Sequence, residues 1–236
     1  MLKINNLTKR YEDKKLALDN ISINVKSKEI FVLLGANGAG KSTTINLICG
    51  FIQPTKGEIF VSGIDAINEP LKAKEKIAYV SENVHLYNNF TGYENLKFFS
   101  KLSGKNYSKK ELENILRDIG LQESFIHKPV GTYSKGMRQK TGIAIAIVKD
   151  ADLVLMDEPF SGLDPKAAND FQKLILKMRD SGKAILMSTH NIFRAKILAD
   201  HVGIMKDGEL VITRKKDEFE FEDLENLYID YMEGNV

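Results

Sequence analysis

Gly35, Gly40, Lys41 and Ser42 stand in the order Gly-x-x-x-x-Gly-Lys-Ser, directly after the apolar run 31–34. That spacing suits a phosphate. The glycines, with Asn37 and Gly38 between them, let the backbone turn tightly and aim its N–H groups inward at an anion. Lys41 reaches toward β- and γ-phosphates, and the Ser42 hydroxyl is a ligand type for Mg²⁺. Thr43 follows at the head of an apolar-periodic run (Ile45, Leu47, Ile48), whose helix adds the positive end of its dipole. A second cluster begins at residue 153, where Leu-Val-Leu-Met ends in Asp157 and Glu158. Beside a phosphate loop, the first carboxylate is expected to support Mg²⁺ and the second to act on water. Without that loop the same residues read as a strand and a solvated turn.

Four further positions are weaker when taken alone. Ser134-Lys135-Gly136 precedes an apolar helix, so it offers a hydroxyl and free N–H groups to an anion; serine is also a common N-cap. Glu82 follows the short strand 77–80, at the strand end where open α/β sheets bind ligands; otherwise it is a solvated loop carboxylate. His190 ends a third apolar strand, 184–187, through Ser188 and Thr189. Its place beside two phosphate-site strands favours a functional role over a structural one. Tyr11 can stack on a nucleobase or simply cover a strand edge. Asp164 reads as an N-cap, with Pro165 at the first helical position.

The elements that must position these groups are legible in outline. Residues 2–8 and 16–25 alternate apolar and polar types, as half-buried antiparallel strands do. Residues 58–61 and 77–80 read as short strands, and Asp207-Gly208 as a hairpin turn between two more. Between 83 and 130 strand signals stop. Thr91-x-x-Glu94 and Ser108-x-x-Glu111 are capping boxes that each open a helical pattern, and Gly120 ends the second. Tyr87, Phe90, Tyr93, Phe98 and Phe99 crowd the first half of this insert, either as its core or as a docking patch. Residues 215–232 place Phe219, Leu224, Leu227 and Ile229 at amphipathic helix spacing.

Composition narrows the classes. The chain has 236 residues, 34 Lys and Arg against 32 Asp and Glu, and a net charge of +2. This near-neutral balance lacks the electrostatic footprint of a nucleic-acid binder. The lone Cys49 excludes an internal disulfide framework and is expected to be a buried thiol in a reducing compartment. The start of the sequence lacks the apolar core of a signal peptide, and apolar runs such as 143–148 fall far short of the roughly 18 residues that span a bilayer. The expectation is a soluble chain whose membrane role, if any, needs a partner.

The order of these motifs resembles the ATP-binding cassette family, specifically the nucleotide-binding subunits of ABC transporters, over residues 1–213. Gly35 to Thr43 match Walker A, residues 153–157 match Walker B, and Tyr133-Ser134-Lys135-Gly136-Met137 matches the signature motif. The resemblance implies an α/β P-loop fold with a mixed sheet core, an N-terminal antiparallel β part and a helical insert. It implies an ATPase domain over 1–213 with a helical subdomain at 83–150, and a C-terminal helical extension over 214–236. Tyr11 is then the adenine-stacking aromatic, Glu158 the catalytic base and His190 the switch histidine. Ser161 to Asp164 form the D-loop, and Glu82 stands where the family has a glutamine. Ser134, Gly136 and Asp164 are implied to meet the ATP of a second copy in a head-to-tail dimer. ATP and Mg²⁺ are the implied cofactors, and separate integral membrane permease chains the implied partners, with no nucleic acid; the chain itself is implied to be cytoplasmic, peripheral on the cytoplasmic face of the cell membrane through its permease.

Two departures from the family pattern stand out: Glu82 for glutamine, and Lys135 and Met137 within the signature. A carboxylate at 82 is a further candidate Mg²⁺ ligand, but it cannot donate an amide hydrogen bond. The two departures together resemble the ATPase of the copper-processing transporter for nitrous oxide reductase maturation, which implies copper-related export or maturation. Two other readings stand beside transport: a soluble ABC ATPase acting on a partner such as the ribosome, and a low-turnover nucleotide switch.

Overall fold

The computed structural model describes residues 1–12, 15–221 and 224–233. Its strands are β1 (Leu2–Arg10), β2 (Leu16–Val25), β3 (Ile30–Leu34), β4 (Lys56–Val61), β5 (Ile64–Asp65), β6 (Ile77–Val80), β7 (Leu153–Asp157), β8 (Ala184–Thr189), β9 (His201–Lys206) and β10 (Glu209–Lys215). Its helices are α1 (Lys41–Ile48), α2 (Pro70–Glu75), α3 (Gly92–Leu102), α4 (Lys109–Asp118), α5 (Glu123–Ile126), α6 (Lys135–Lys149), α7 (Pro165–Asp180), α8 (Ile192–Leu198), α9 (Lys216–Phe221) and α10 (Leu224–Glu233).

Among the described residues the strands form two sheets, ordered β2-β1-β4-β5 and β10-β9-β3-β8-β7-β6. The first is antiparallel, as the alternation of residues 2–8 and 16–25 requires. The second is parallel from β9 across to β6, with β10 antiparallel at its edge. The mixed core and the separate antiparallel part are therefore both present. Strands β3, β7 and β8 read as unbroken apolar runs because both of their faces are covered. Phe31, Leu33, Leu155 and Leu186 face the side shared with α1 and the antiparallel sheet. Val32, Leu34, Met156 and Met187 face the side shared with the insert and α7.

The register of the large sheet sets the site. Leu34 pairs with Thr189, and Asp157 pairs with Ser188. Three strands thus end abreast, and the segments that leave them emerge on one edge.

Residues 83–150 contain α3 to α6 and no named strand. Both capping boxes are closed in both directions: Thr91 with Glu94, and Ser108 with Glu111. Each supplies partners to backbone groups that a helix start otherwise leaves open, at about 1 kcal/mol per cap. Gly120 adopts φ +77° just past α4. The aromatic cluster serves two roles. Tyr93 and Phe99 pack on the core, whereas Tyr87, Phe90 and Phe98 are exposed and stack on one another.

At the far end β10 continues to Lys215, so the 213/214 boundary expected from sequence falls inside a strand. The amphipathic helix expected over 215–232 is present on either side of residues 222–223, as α9 and α10. Of the expected extension, residues 222–223 and 234–236 lie outside the described residues. No helix of the described residues is long and apolar enough to cross a membrane.

Candidate functional site

The loop after β3 is built by glycine where nothing larger fits. A Cβ on Gly35 would lie 2.5 Å from the Met205 carbonyl oxygen. Gly40 caps α1 at φ +106°, a conformation that side-chain-bearing residues rarely adopt. The three leading N–H groups of α1 have no intrahelical acceptor, as at any helix start, and they sit under the loop. Lys41 is 6% exposed and donates to the carbonyls of Gly35 (2.7 Å) and Ala36 (3.0 Å). Its ammonium also lies 3.7 Å from Glu158 Oε1. Burial lowers the Lys41 pKa, and the Glu158 and Asp157 carboxylates pull it back up.

The register Asp157–Ser188 places one alcohol between the Asp157 carboxylate and the Glu158 backbone. Ser188 Oγ donates to Asp157 Oδ1 at 2.5 Å and accepts from the Glu158 N–H at 3.0 Å. Ser42 Oγ donates to Asp157 Oδ1 at 3.2 Å, linking the phosphate loop to β7 across 115 residues. Glu158 turns off the strand at φ +44°, which aims its side chain back toward the loop. Its Oε1 is buried with no hydrogen-bond partner, 3.1 Å from His190 Nδ1. The His190 side chain is itself largely exposed.

Ser42 and Asp157 present adjoining hard oxygen donors, and Glu158, with an oxygen that lacks a hydrogen-bond partner, lines the same cleft, so the residues present suit a Mg²⁺ ion with a water beside it. Glu82, also expected as a Mg²⁺ ligand, lines the same cleft with one of its oxygens already bonded. Its Oε1 accepts from Ser161 Oγ at 2.7 Å and lies 3.8 Å from Lys135 Nζ. Among the described residues no three His, Cys, Asp or Glu side chains are grouped to hold a metal.

These groups line a cleft of about 660 Å³, within the usual range for a small-molecule site. Its walls are Tyr11, residues 36–43, Glu82, Asp157, Glu158 and the turn at Asp207-Gly208. Tyr11 stands at the mouth, 40% exposed, with the Lys9 ammonium 5.1 Å from its ring centre. An exposed aromatic at the open end of a phosphate cleft offers a π-face to a base.

Ser134, Gly136 and Asp164 are brought together, but in a different concavity that shares no lining residue with the first. Ser134 caps α6 by accepting from Met137 N–H (3.3 Å), and Asp164 caps α7 by accepting from Ala167 N–H (2.9 Å). A Cβ on Gly136 would lie 3.2 Å from Ala167 Cβ, so the two helix starts are in close contact.

Sequence reasoning passed over two residues that the structure makes central. Ser188 was quoted only as a lead-in to His190; its own signal is a polar residue closing an apolar strand in register with Asp157. Gln139 is buried on α6 and donates to the carbonyls of Ser81 (3.3 Å) and Glu82 (2.7 Å). A single polar residue in a helical pattern gave no hint of that long-range partner.

The family model described as ABC transporter matches residues 18–161. The ABC transporter ATP-binding protein NatA of Bacillus subtilis is 34% identical over 217 residues, 89% of this chain and 88% of that one. The lantibiotic transport ATP-binding protein SrtF of Streptococcus pyogenes is 32% identical over 228 residues, 97% of this chain and 96% of that one. The dimeric post-hydrolysis structure of the ATP-binding cassette MJ0796 bound to ADP and Pi superimposes with a TM-score of 0.83 at 28% identity, covering 92% of this chain and 99% of that one. Cleft, fold and relatives agree: the chain belongs to the ABC transporter family, as an ATP-binding subunit with ATPase activity.

Proposed function

We propose that this chain drives a transporter by closing as a head-to-tail homodimer around two ATP molecules and opening after hydrolysis. The carrying observation is the separation of its two half-sites. Lys41 and Glu158 line one concavity, and Ser134 and Gly136 line another, so a second copy is needed to bring them to one nucleotide. Since one chain contains both halves, two identical copies suffice. The dimeric state of MJ0796 supports this reading.

Within each site Tyr11 stacks on adenine. The loop of Gly35, Asn37, Gly38, Gly40 and Thr43 cradles the phosphates, and Lys41 neutralises the β- and γ-groups. Ser42 and Asp157 would hold the Mg²⁺ ion, which would supply charge neutralisation to the phosphates. Glu158 takes a proton from water as its oxygen attacks the γ-phosphorus. The bond to the bridging oxygen breaks, and ADP leaves with the electron pair. His190 steadies the Glu158 carboxylate and meets the γ-phosphate as charge spreads over it. Ser134, Gly136 and Asp164 close the site from the other copy.

The partner is an integral membrane permease docked from the cytoplasmic side. The exposed aromatic cluster of Tyr87, Phe90 and Phe98 on the insert is the surface proposed to meet it. The name of SrtF, a lantibiotic transport ATP-binding protein, supports a lantibiotic as the cargo class. The copper-related reading rests on the Glu82 and Lys135 pattern alone and has no support from these relatives. The soluble and low-turnover readings have no observation in their favour, and the Glu158–His190 contact speaks against the second.

The test is purification of the Glu158→Gln protein with ATP from detergent-solubilised membranes, with mass spectrometry of what accompanies it. The expected result is a stoichiometric multi-span protein and two copies of this chain. Recovery of the homodimer alone, or of ribosomal proteins, would overturn the transporter reading while leaving the ATPase in place.

A further inference from the structure

Two of the positions at which this chain departs from the family pattern, Glu82 and Lys135, are 53 residues apart in sequence and touch in the fold. Lys135 is the first residue of α6, next to Ser134. Its stem crosses the Ser161-Gly162 turn: a Cβ on Gly162 would lie 3.3 Å from both Lys135 Cδ and Nζ, and Gly162 sits at φ +68°. Its ammonium ends 3.8 Å from Glu82 Oε1, the oxygen that accepts from Ser161 Oγ at 2.7 Å. The Glu82 backbone is fixed from the same helix, since Gln139 Nε2 donates to its carbonyl. Three segments therefore meet on one carboxylate: the end of β6, the start of α6 and the turn after Glu158.

That carboxylate also lines the phosphate cleft with Asp157 and Glu158. A third negative charge there opposes a polyphosphate ligand. A neutral amide at 82 would need no counter-charge, whereas a carboxylate does. The Lys135 and Glu82 side chains are 34% and 46% exposed, so their contact is too well solvated to matter much for stability. Its value lies in the field at the cleft.

We propose that Lys135 is a positioning residue for ATP binding, whose ammonium offsets the Glu82 charge and, with the Ser161 hydroxyl, holds that carboxylate at the rim of the phosphate cleft. This rests on the ATPase reading above and adds to it a dependence between residues 82 and 135. The pair also ties the start of the signature helix to the cleft of the same chain, through charge rather than through packing.

The experiment is equilibrium binding of ATP in EDTA, together with KM and kcat for MgATP, on wild type, Lys135→Met, Glu82→Gln and the double variant. Both side chains are partly exposed, so all four proteins are expected to fold. Lys135→Met weakens metal-free ATP binding about two- to fivefold, the range of a partly exposed ion pair. Adding Glu82→Gln to it restores wild-type binding, and the difference between single and double variants shrinks in about 0.5 M salt. A merely structural lysine would not be rescued by neutralising a carboxylate. Wild-type binding in Lys135→Met, or losses that simply add in the double variant, would overturn the pair and leave the ATPase reading intact. Wild-type protein that binds no ATP would overturn both.

Discussion

The phosphate cleft and the signature concavity are built by opposite means. In the cleft the groups come from strand ends far apart in sequence, and they hold one another: Ser42 to Asp157, Ser188 to Asp157 and Glu158, Lys41 to its own loop. Its central cation is buried. In the signature concavity Ser134 and Asp164 are helix caps, each bonded three residues along its own chain, and Ser134 is exposed. The first region is pre-organised by sheet register. The second is a pair of helix starts whose ligand-facing groups stay open until something covers them. A site meant to be completed by another molecule can be left exposed in this way, since its stability comes from local caps.

The sharpest way to break that contrast is Glu158→Gln. Phosphate release should fall by roughly 10²–10⁴, about 3–5 kcal/mol of barrier, while ATP binding persists. Unchanged turnover would remove Glu158 from the reaction. Next comes complementation. Lys41→Ala and Ser134→Phe should each lose more than about tenfold in turnover. An equal mixture should recover about a quarter of wild-type activity, because half of the dimers then contain one intact composite site. No recovery on mixing would place both half-sites in one chain and erase the distinction. Ser188→Ala tests the network within the cleft. Removing a donor to one carboxylate and an acceptor for the neighbouring N–H should slow turnover about tenfold, with about 1–3 kcal/mol lost in chemical denaturation. The smallest effects belong to the other side. Thr91→Ala and Ser108→Ala should each cost about 1 kcal/mol in a urea melt and leave kcat within about twofold. Behind the loop, Cys49 gives a quieter check. Burial pushes its thiol up to about 12, so alkylation at pH 8 should proceed only as the protein unfolds.

The same contrast decides what could be read from sequence. Both capping boxes, the caps at Ser134 and Asp164 and the end of α4 at Gly120 were legible, because each is a local pattern with a local cause. The phosphate loop was legible because its spacing encodes the backbone shape. Alternation gave β1 and β2, and unbroken apolar runs gave β3, β7 and β8. That the strand before His190 lies beside the two phosphate-site strands was legible, but the register between them was not, and so neither was Ser188: its role exists only once β8 is in register with β7. Gln139 and Lys135 were missed as partners of Glu82 for the same reason.

The abreast strand ends have a consequence for anyone editing this chain. A one-residue insertion in β3, β7 or β8 would flip every later side chain of that strand to the opposite face and carry Asp157 or the phosphate loop out of line. The turn at residues 103–106 is of another kind. Gly104 has no atom within 4 Å of where its Cβ would be, and no catalytic group depends on its position. A fluorescent tag or an epitope placed there lengthens a surface connection at little entropic cost. In a scan of random insertions, tolerance should rise sharply in that turn and drop to nothing along the sheet edge that faces the cleft.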